Sequence, residues 1–128
     1  MPRTSRARCR PLKMAAAAGF AVDEIPDFLV TVMDACHNPV KVAPFTPSSS
    51  VGMGVLAAEY ARDSLAVILK HHGVVAYGKD LEEALYSAVY LEEAAKTFVL
   101  ARAMGAEIPA LDPELIAQEK AGWETYGQ

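Results

Sequence analysis

The hydrophobic positions of this chain fall into short runs, and each run predicts one helix or strand. Four alanines after Met14 favour a helix that ends near Gly19. Apolar residues at helical spacing follow Pro26, in the segment DFLVTVMDA, and predict a second helix. The β-branched segment VKVAPF is bounded by prolines and predicts a strand.

A polar loop with serines 48–50 comes next and introduces a third helix. One of these serines is expected to cap this helix, which should run from about Val51 to Arg62. Its apolar residues predict that it buries Val55, Leu56 and Ala58.

A β-hairpin is predicted for residues 65–77. Leu65 to Leu69 is a continuous apolar run, as expected for a strand that is covered on both faces. Val74 to Tyr77 is the return strand, and the turn between the two strands contains His71, His72 and Gly73. This hairpin would hold two adjacent histidines at its crest.

A long amphipathic helix is predicted from Leu81 to Gly105, and a shorter one after Asp112 and Pro113. Asp80 and Glu83 have the spacing of a capping box. Glu92 and Lys96 are expected to pair on the exposed side of the long helix. The residues predicted to form its buried face are Leu81, Leu85, Ala88, Leu91, Ala95 and Phe98.

Length and composition indicate one modest domain, since the chain has 128 residues, of which 52% are hydrophobic. Five of its twelve basic residues precede residue 14 and none of its sixteen acidic residues does, so the remainder is acidic. An acidic body argues against a nucleic-acid-binding surface. The two cysteines fit neither a disulfide framework nor a zinc ribbon, and no apolar run is long enough to span a membrane. A cytoplasmic location is therefore expected.

The first thirteen residues, MPRTSRARCRPLK, are predicted to form a basic irregular tail, and residues 14–128 the folded domain. Three interpretations of the tail remain open. It could be a disordered basic arm or an organelle transit peptide, because both are rich in arginine and poor in acidic residues. It could also be foreign to the fold, either because it is read in a displaced reading frame or because the assigned start lies upstream of Met14.

The histidine turn is the candidate site for chemistry. A neutral imidazole is a good zinc ligand, and a tight turn holds it with little rotamer freedom. Adjacent residues of a strand point to opposite faces, so His71 and His72 are not expected to serve the same site. The alternative is a pair of solvated turn residues. His37 has no partner at ligand spacing and is expected to be a surface histidine.

The segment ILKHHGVVAYGKD, followed by LEEALYSAVYLEEAAK, resembles the C-terminal half of the class II aldolase and adducin family. This family includes zinc-dependent L-fuculose-phosphate aldolases and L-ribulose-5-phosphate 4-epimerases. The resemblance covers about Met14 to Gln128 and implies that His72 corresponds to the third zinc ligand. It also implies that Tyr126, in the C-terminal YGQ, is a catalytic residue that assists proton transfer to an aldehyde oxygen.

The same resemblance implies an α/β fold, a partial α/β/α layered structure with a mainly antiparallel sheet flanked by helices and truncated at its N-terminus. It further implies a small sugar-phosphate substrate and a homotetramer. Half of such a sheet is expected to expose an unpaired strand edge and apolar surface.

Two zinc ligands of the family are missing from the sequence. Counting back from His72 by the family's spacing reaches Cys9 to Pro11, where the family has a His-x-His motif and this chain has no histidine. The family's catalytic glutamate would lie upstream of Met1. A catalytic zinc needs three protein ligands, so the chain is expected to bind zinc weakly and to be inactive alone. The alternative is a non-catalytic, adducin-like interaction module.

Overall fold

The structure, a computed structural model, describes residues 5–7, 12–123 and 125. Its strands are β1 (Ser5–Ala7), β2 (Glu24–Ile25), β3 (Val40–Ala43), β4 (Ala66–Leu69) and β5 (Gly73–Gly78). Its helices are α1 (Lys13–Ala21), α2 (Val30–Cys36), α3 (Val51–Tyr60), α4 (Leu81–Ala103) and α5 (Pro113–Gly122).

The sheet has the strand order β1-β5-β4-β3-β2 among the residues described. Strands β3 and β4 are parallel, and the other three pairings are antiparallel. The hairpin of β4 and β5 is in the predicted place, with Val67 opposite Val75 and Leu69 opposite Gly73. The prediction of an α/β fold with a mainly antiparallel sheet is confirmed.

Two apolar cores lie on opposite faces of the sheet, because successive residues of a strand point to opposite sides. Ile68 belongs to the core formed with α1, α2 and α4, whereas its neighbours Val67 and Leu69 belong to the core under α3. The molecule therefore has three layers, with three helices on one face of the sheet and α3 on the other.

Gly19 does not end α1, as the sequence predicted, but lies inside it. The helix continues to Ala21, and a Cβ at Gly19 would lie only 2.9 Å from the Cγ2 atom of Ile68. The glycine is thus required for the close approach of α1 to β4, since a side chain would force the two elements apart.

The predicted buried face of α3 is also wrong. Ser50 caps this helix as expected, with its side chain accepting a hydrogen bond from the Met53 N–H at 3.1 Å. The buried residue, however, is Ala57, while Val55 is 60% exposed. Met53 and Tyr60 pack against the same core as Ala57. Of the residues predicted to be buried, Leu56 is half-buried, and Val55 and Ala58 are exposed.

Helix α4 begins where it was predicted, and four of the six residues predicted to be buried are buried, namely Ala88, Leu91, Ala95 and Phe98. The Asp80 carboxylate accepts a hydrogen bond from the Glu83 N–H at 2.8 Å, as in a capping box. Leu81 and Leu85 were predicted to be buried and are 64% and 50% exposed. Small residues occupy the inward face beside Leu91 and Phe98, and these are Ala84, Ser87, Ala88, Ala94 and Ala95.

Glu92 caps α1 instead of pairing with Lys96. Its two carboxylate oxygens accept hydrogen bonds from the backbone N–H groups of Met14 at 2.8 Å and Ala15 at 2.9 Å. Helix α1 has no side-chain cap of its own, so this contact satisfies two of its free donors. A carboxylate at this end of a helix is also favoured by the helix dipole.

Replacing Glu92 by alanine should therefore lower the free energy of unfolding by about 2 kcal/mol, through the loss of two charge-assisted hydrogen bonds. Urea titration followed by circular dichroism would measure this. Glu93→Ala is the matched control, because Glu93 is exposed on the same helix and should change stability by less than about 0.5 kcal/mol. Equal effects of the two substitutions would contradict the capping role.

Three residues of the predicted basic tail, Ser5–Ala7, are not irregular but pair with β5 as β1. The division of the chain at residue 14 otherwise stays a prediction. At the other end, α5 begins after Asp112, which accepts a hydrogen bond from the Glu114 N–H at 2.8 Å. Among the residues described, no helix combines the length and the apolar character needed to cross a membrane.

Candidate functional site

The candidate site lies where the parallel strands β3 and β4 end. Because parallel strands run in the same direction, their carboxyl ends meet at one edge of the sheet. The loop after β3 brings Phe45 and Thr46 to this edge, and the turn after β4 brings His71 and His72. A strand pairing between segments far apart in sequence thus assembles the site.

The turn that carries the histidines has an unusual backbone. His71 has a φ angle of +67° and Gly73 of +119°, both in the left-handed region, which glycine tolerates better than histidine. The His72 N–H closes the turn by donating to the Leu69 carbonyl at 2.9 Å. Across the edge, Ser49 also has a positive φ angle, +62°.

His72 is oriented by a hydrogen bond to the neighbouring loop. Its Nε2 atom lies 2.6 Å from the Thr46 carbonyl oxygen, and its ring stacks on Phe45 with a centroid distance of 5.3 Å. A carbonyl oxygen can only accept, so Nε2 carries the proton and donates it. In the neutral form of this imidazole, the Nδ1 atom has the lone pair. Histidines that bind metals commonly donate their other ring N–H to a backbone carbonyl in this way.

His71 faces the same aromatic ring, so the expectation that the two histidines point to opposite faces is wrong for this turn. Its ring meets Phe45 edge-on at 5.5 Å and Phe20 of α1 at 5.1 Å. The alternation rule applies to residues within a strand, whereas both histidines lie in the turn beyond β4, where the left-handed residue His71 changes the direction of the chain.

A cleft of about 910 Å³ opens beside the turn. Both histidines line it, together with residues of α1, of the serine loop 48–50, of α3 and of β5. His71 also lines a second hollow of about 770 Å³, together with Phe45 and residues of β3. The imidazole of His72 is exposed at the edge of a cleft and not packed in the apolar interior.

The residues described do not form a complete metal site. No group of three or more histidine, cysteine, aspartate or glutamate side chains among them is placed to hold a metal ion. A structural or catalytic zinc has three or four protein ligands. His72 has the hydrogen-bonding pattern of one such ligand, and the part of the chain that the structure describes adds no others around it.

Two other residues were singled out from the sequence, Tyr126 and His37. Tyr126 lies outside the residues that the structure describes. His37, predicted to be a surface histidine, is half-buried at the C-terminal end of α2, where its ring lies 5.6 Å from that of Trp123. Phe45 and Thr46 contact His72 but were not predicted as site residues. The only signal for them in the sequence was their position directly after a predicted strand.

Cys36 and Asp27 form a separate buried pair of titratable groups. Burial raises the pKa of the Cys36 thiol from 9.0 to about 12, and the charge of Asp27 adds to this effect. Burial also raises the pKa of Asp27; Lys120 opposes this change and Glu24 reinforces it. Because the nucleophile and metal ligand is the thiolate, Cys36 is inert at neutral pH and is part of the core.

The Cys36 thiol should make the protein less stable in alkaline solution. Below pH 9 it is protonated in both states. Above pH 9 the unfolded chain releases this proton, whereas the folded chain holds it up to about pH 12. The free energy of unfolding should therefore fall by about 1.4 kcal/mol per pH unit from this group. Urea titrations of the wild type and Cys36→Ala between pH 8 and about 11 would measure the difference in slope. If the free energy of unfolding had the same pH dependence in both proteins, the raised pKa of Cys36 would be contradicted.

Comparison with known proteins places this geometry in a family. Residues 10–99 match the family model described as the class II aldolase and adducin N-terminal domain. An L-fuculose phosphate aldolase of Haemophilus influenzae is 29% identical over 114 residues, which cover 86% of this chain and 52% of that protein. The chain spans about half the length of the curated relatives that it matches.

Comparison with solved structures points to the same family. The structure of an L-fuculose 1-phosphate aldolase covers 88% of this chain and 52% of its own, with a TM-score of 0.79 and 22% identity, which shows the shared fold. That of L-fuculose-1-phosphate aldolase from Thermus thermophilus covers 78% of this chain and 54% of its own, with a TM-score of 0.64 and 27% identity. The family match covers well over half of this chain and includes the histidine turn. The chain belongs to the class II aldolase and adducin family.

Proposed function

We propose that this chain carries one part of a zinc-dependent sugar-phosphate aldolase or epimerase site, with His72 as one of three zinc ligands. The observation that carries the proposal is the hydrogen bond that orients the His72 imidazole. Its Nε2–H is held by the Thr46 carbonyl, which leaves Nδ1 free at the edge of the cleft. The similarity to L-fuculose phosphate aldolases supports a phosphorylated sugar as the substrate.

The other two zinc ligands would come from outside the residues that the structure describes. The chain has three histidines, of which His71 is directed to Phe45 and His37 lies beside Trp123. We therefore propose that the chain alone neither retains zinc nor cleaves a sugar phosphate. Tyr126 is the proposed proton donor to the aldehyde oxygen, as the family resemblance implies.

A chimeric protein would test this proposal. Residues 14–128 would be joined to the upstream half of an L-fuculose phosphate aldolase, and cleavage of L-fuculose 1-phosphate would be measured with zinc present. We expect cleavage by the chimera and none by the chain alone. Cleavage by the chain alone would contradict the proposal, because a complete set of ligands would then have to lie within it.

A non-catalytic, adducin-like interaction module is the second candidate function. The exposed apolar side chains on the outer face of α4 favour it, since monomeric proteins rarely expose a large apolar patch. A chimera that is folded by circular dichroism but neither binds zinc nor cleaves the sugar phosphate would support this candidate. The homotetramer and the cytoplasmic location that were expected from the sequence stay predictions.

A further inference from the structure

Helix α5 lies on the surface of the fold and buries none of its ten residues. Ile116 and Lys120, four residues apart on one face of the helix, are half-buried, and the other eight residues are exposed. A helix of this length is only marginally stable in water when it stands alone. The stability of α5 therefore depends on a few contacts, and these lie mainly at its two ends.

The first end of α5 is attached to the loop that precedes α2. The Leu111 N–H donates a hydrogen bond to the Asp27 carbonyl oxygen at 2.8 Å, directly before the capping residue Asp112. This contact joins two backbone groups, so it fixes the position of the first turn without depending on a side chain of α5. It leaves the direction of the helix to be determined by its far end.

The far end of α5 is attached to the C-terminal end of α2 through Lys120. The Lys120 ammonium donates a hydrogen bond to the Asn38 side-chain oxygen Oδ1 at 3.0 Å. The side-chain nitrogen of Asn38 donates to the Asp63 carbonyl, so the amide group is held with its oxygen towards Lys120. Trp123, which follows the helix, adds a ring contact with His37 at 5.6 Å.

The charge of Lys120 also acts on a buried carboxyl group. Asp27 is only 5% exposed. Burial raises the pKa of Asp27, and the positive charge of Lys120 opposes this change. A neutral side chain at position 120 would therefore lose an electrostatic attraction to the body of the protein in addition to the hydrogen bond with Asn38.

We infer that Lys120 is a positioning residue, which fixes the far end of α5 on α2 and so determines where the C-terminal segment leaves the fold. Tyr126 follows Lys120 by six residues in the sequence. The inference rests on the proposed function in one respect, namely that Tyr126 is the proton donor. Without the Lys120 contact, α5 would turn about its attachment at Leu111 and would no longer hold this segment in one place.

Hydrogen exchange of the chain alone tests the contact itself. Lys120→Met keeps a side chain of similar length and removes the charge and the donor. Loss of a charge-assisted hydrogen bond should shift the docking equilibrium of α5 about tenfold, and its backbone amides should exchange about tenfold faster. Lys96→Met is the matched control, because Lys96 is exposed on α4, and it should leave exchange in α5 unaltered. Lys120→Arg retains charge and donors and should preserve most of the protection.

Cleavage by the aldolase chimera tests the positioning role. Lys120→Met should lower kcat while the zinc content stays at one per chain, and Lys120→Arg should recover most of the rate. Because Lys120 is inferred to act through Tyr126, the double variant Lys120→Met/Tyr126→Phe should be no slower than Tyr126→Phe alone. Lys96→Met should cleave as fast as the unmodified chimera.

Two results would overturn the inference. One is exchange in α5 that is no faster in Lys120→Met than in Lys96→Met. The other is a chimera that Tyr126→Phe slows and Lys120→Met does not. A chimera that is indifferent to Tyr126→Phe would instead overturn the proposed role of Tyr126, and the positioning role with it. The exchange rates of the chain alone would then still show whether Lys120 holds α5, so the two failures are distinguishable.

Discussion

Replacing Gly78 by alanine should lower the free energy of unfolding by about 3 kcal/mol, because the new methyl group has no room. Gly78 is buried at the end of β5, where the chain turns into α4. A Cβ there would lie 2.5 Å from the backbone nitrogen of Ala84 and 2.9 Å from the carbonyl carbon of Glu83. These are backbone atoms of the first turn of α4, so the whole helix would have to move away from the sheet.

Gly54→Ala is the matched control for this prediction. Gly54 lies in the exposed face of α3, where an added methyl group would meet no atom within 4 Å. Alanine there should raise the stability by about 0.5 to 1 kcal/mol, because glycine is unfavourable inside a helix. Thermal unfolding of the two variants should therefore shift in opposite directions. A Gly78→Ala protein as stable as the wild type would contradict the close packing of α4 on β5.

The second large effect is expected for His72 in the aldolase chimera. His72→Ala would remove one of the three proposed ligands, so zinc should be lost and the rate of cleavage should fall on the order of a thousandfold. His71→Ala is the control, because His71 lies in the same turn and lines the same cleft but is not proposed to bind metal. We expect it to retain zinc and to lose much less activity. A larger loss in His71→Ala than in His72→Ala would contradict the assignment.

The sequence predicted the elements better than their contacts. The hairpin and the long helix were correctly located because their apolar runs and the cap at Asp80 are local signals. Leu81 and Leu85 were wrongly assigned to the buried face of α4, because hydrophobicity alone favours leucine over small residues such as Ser87. Ser87 is buried there since its hydroxyl donates to the Ala35 carbonyl at 2.7 Å, a partner that is far away in sequence.

The contacts of the candidate site were likewise not predictable from the sequence. The crest of the hairpin identified His72, but its orientation depends on Thr46, which the parallel pairing of β3 with β4 brings close. Likewise, the role of Glu92 depends on the N-terminus of α1, 77 and 78 residues away in the chain. Partners of this kind are determined by the packing of the whole fold and leave no periodic pattern in the sequence.

The zinc content of the chimera, measured after exhaustive dialysis, tests the central claim most directly. The claim is that this chain contributes the His72 imidazole to a three-histidine metal site of the class II aldolase kind. It predicts one zinc per chimeric chain, none in its His72→Ala variant and none in the chain alone. Equal zinc in the chimera and in its folded His72→Ala variant would contradict it.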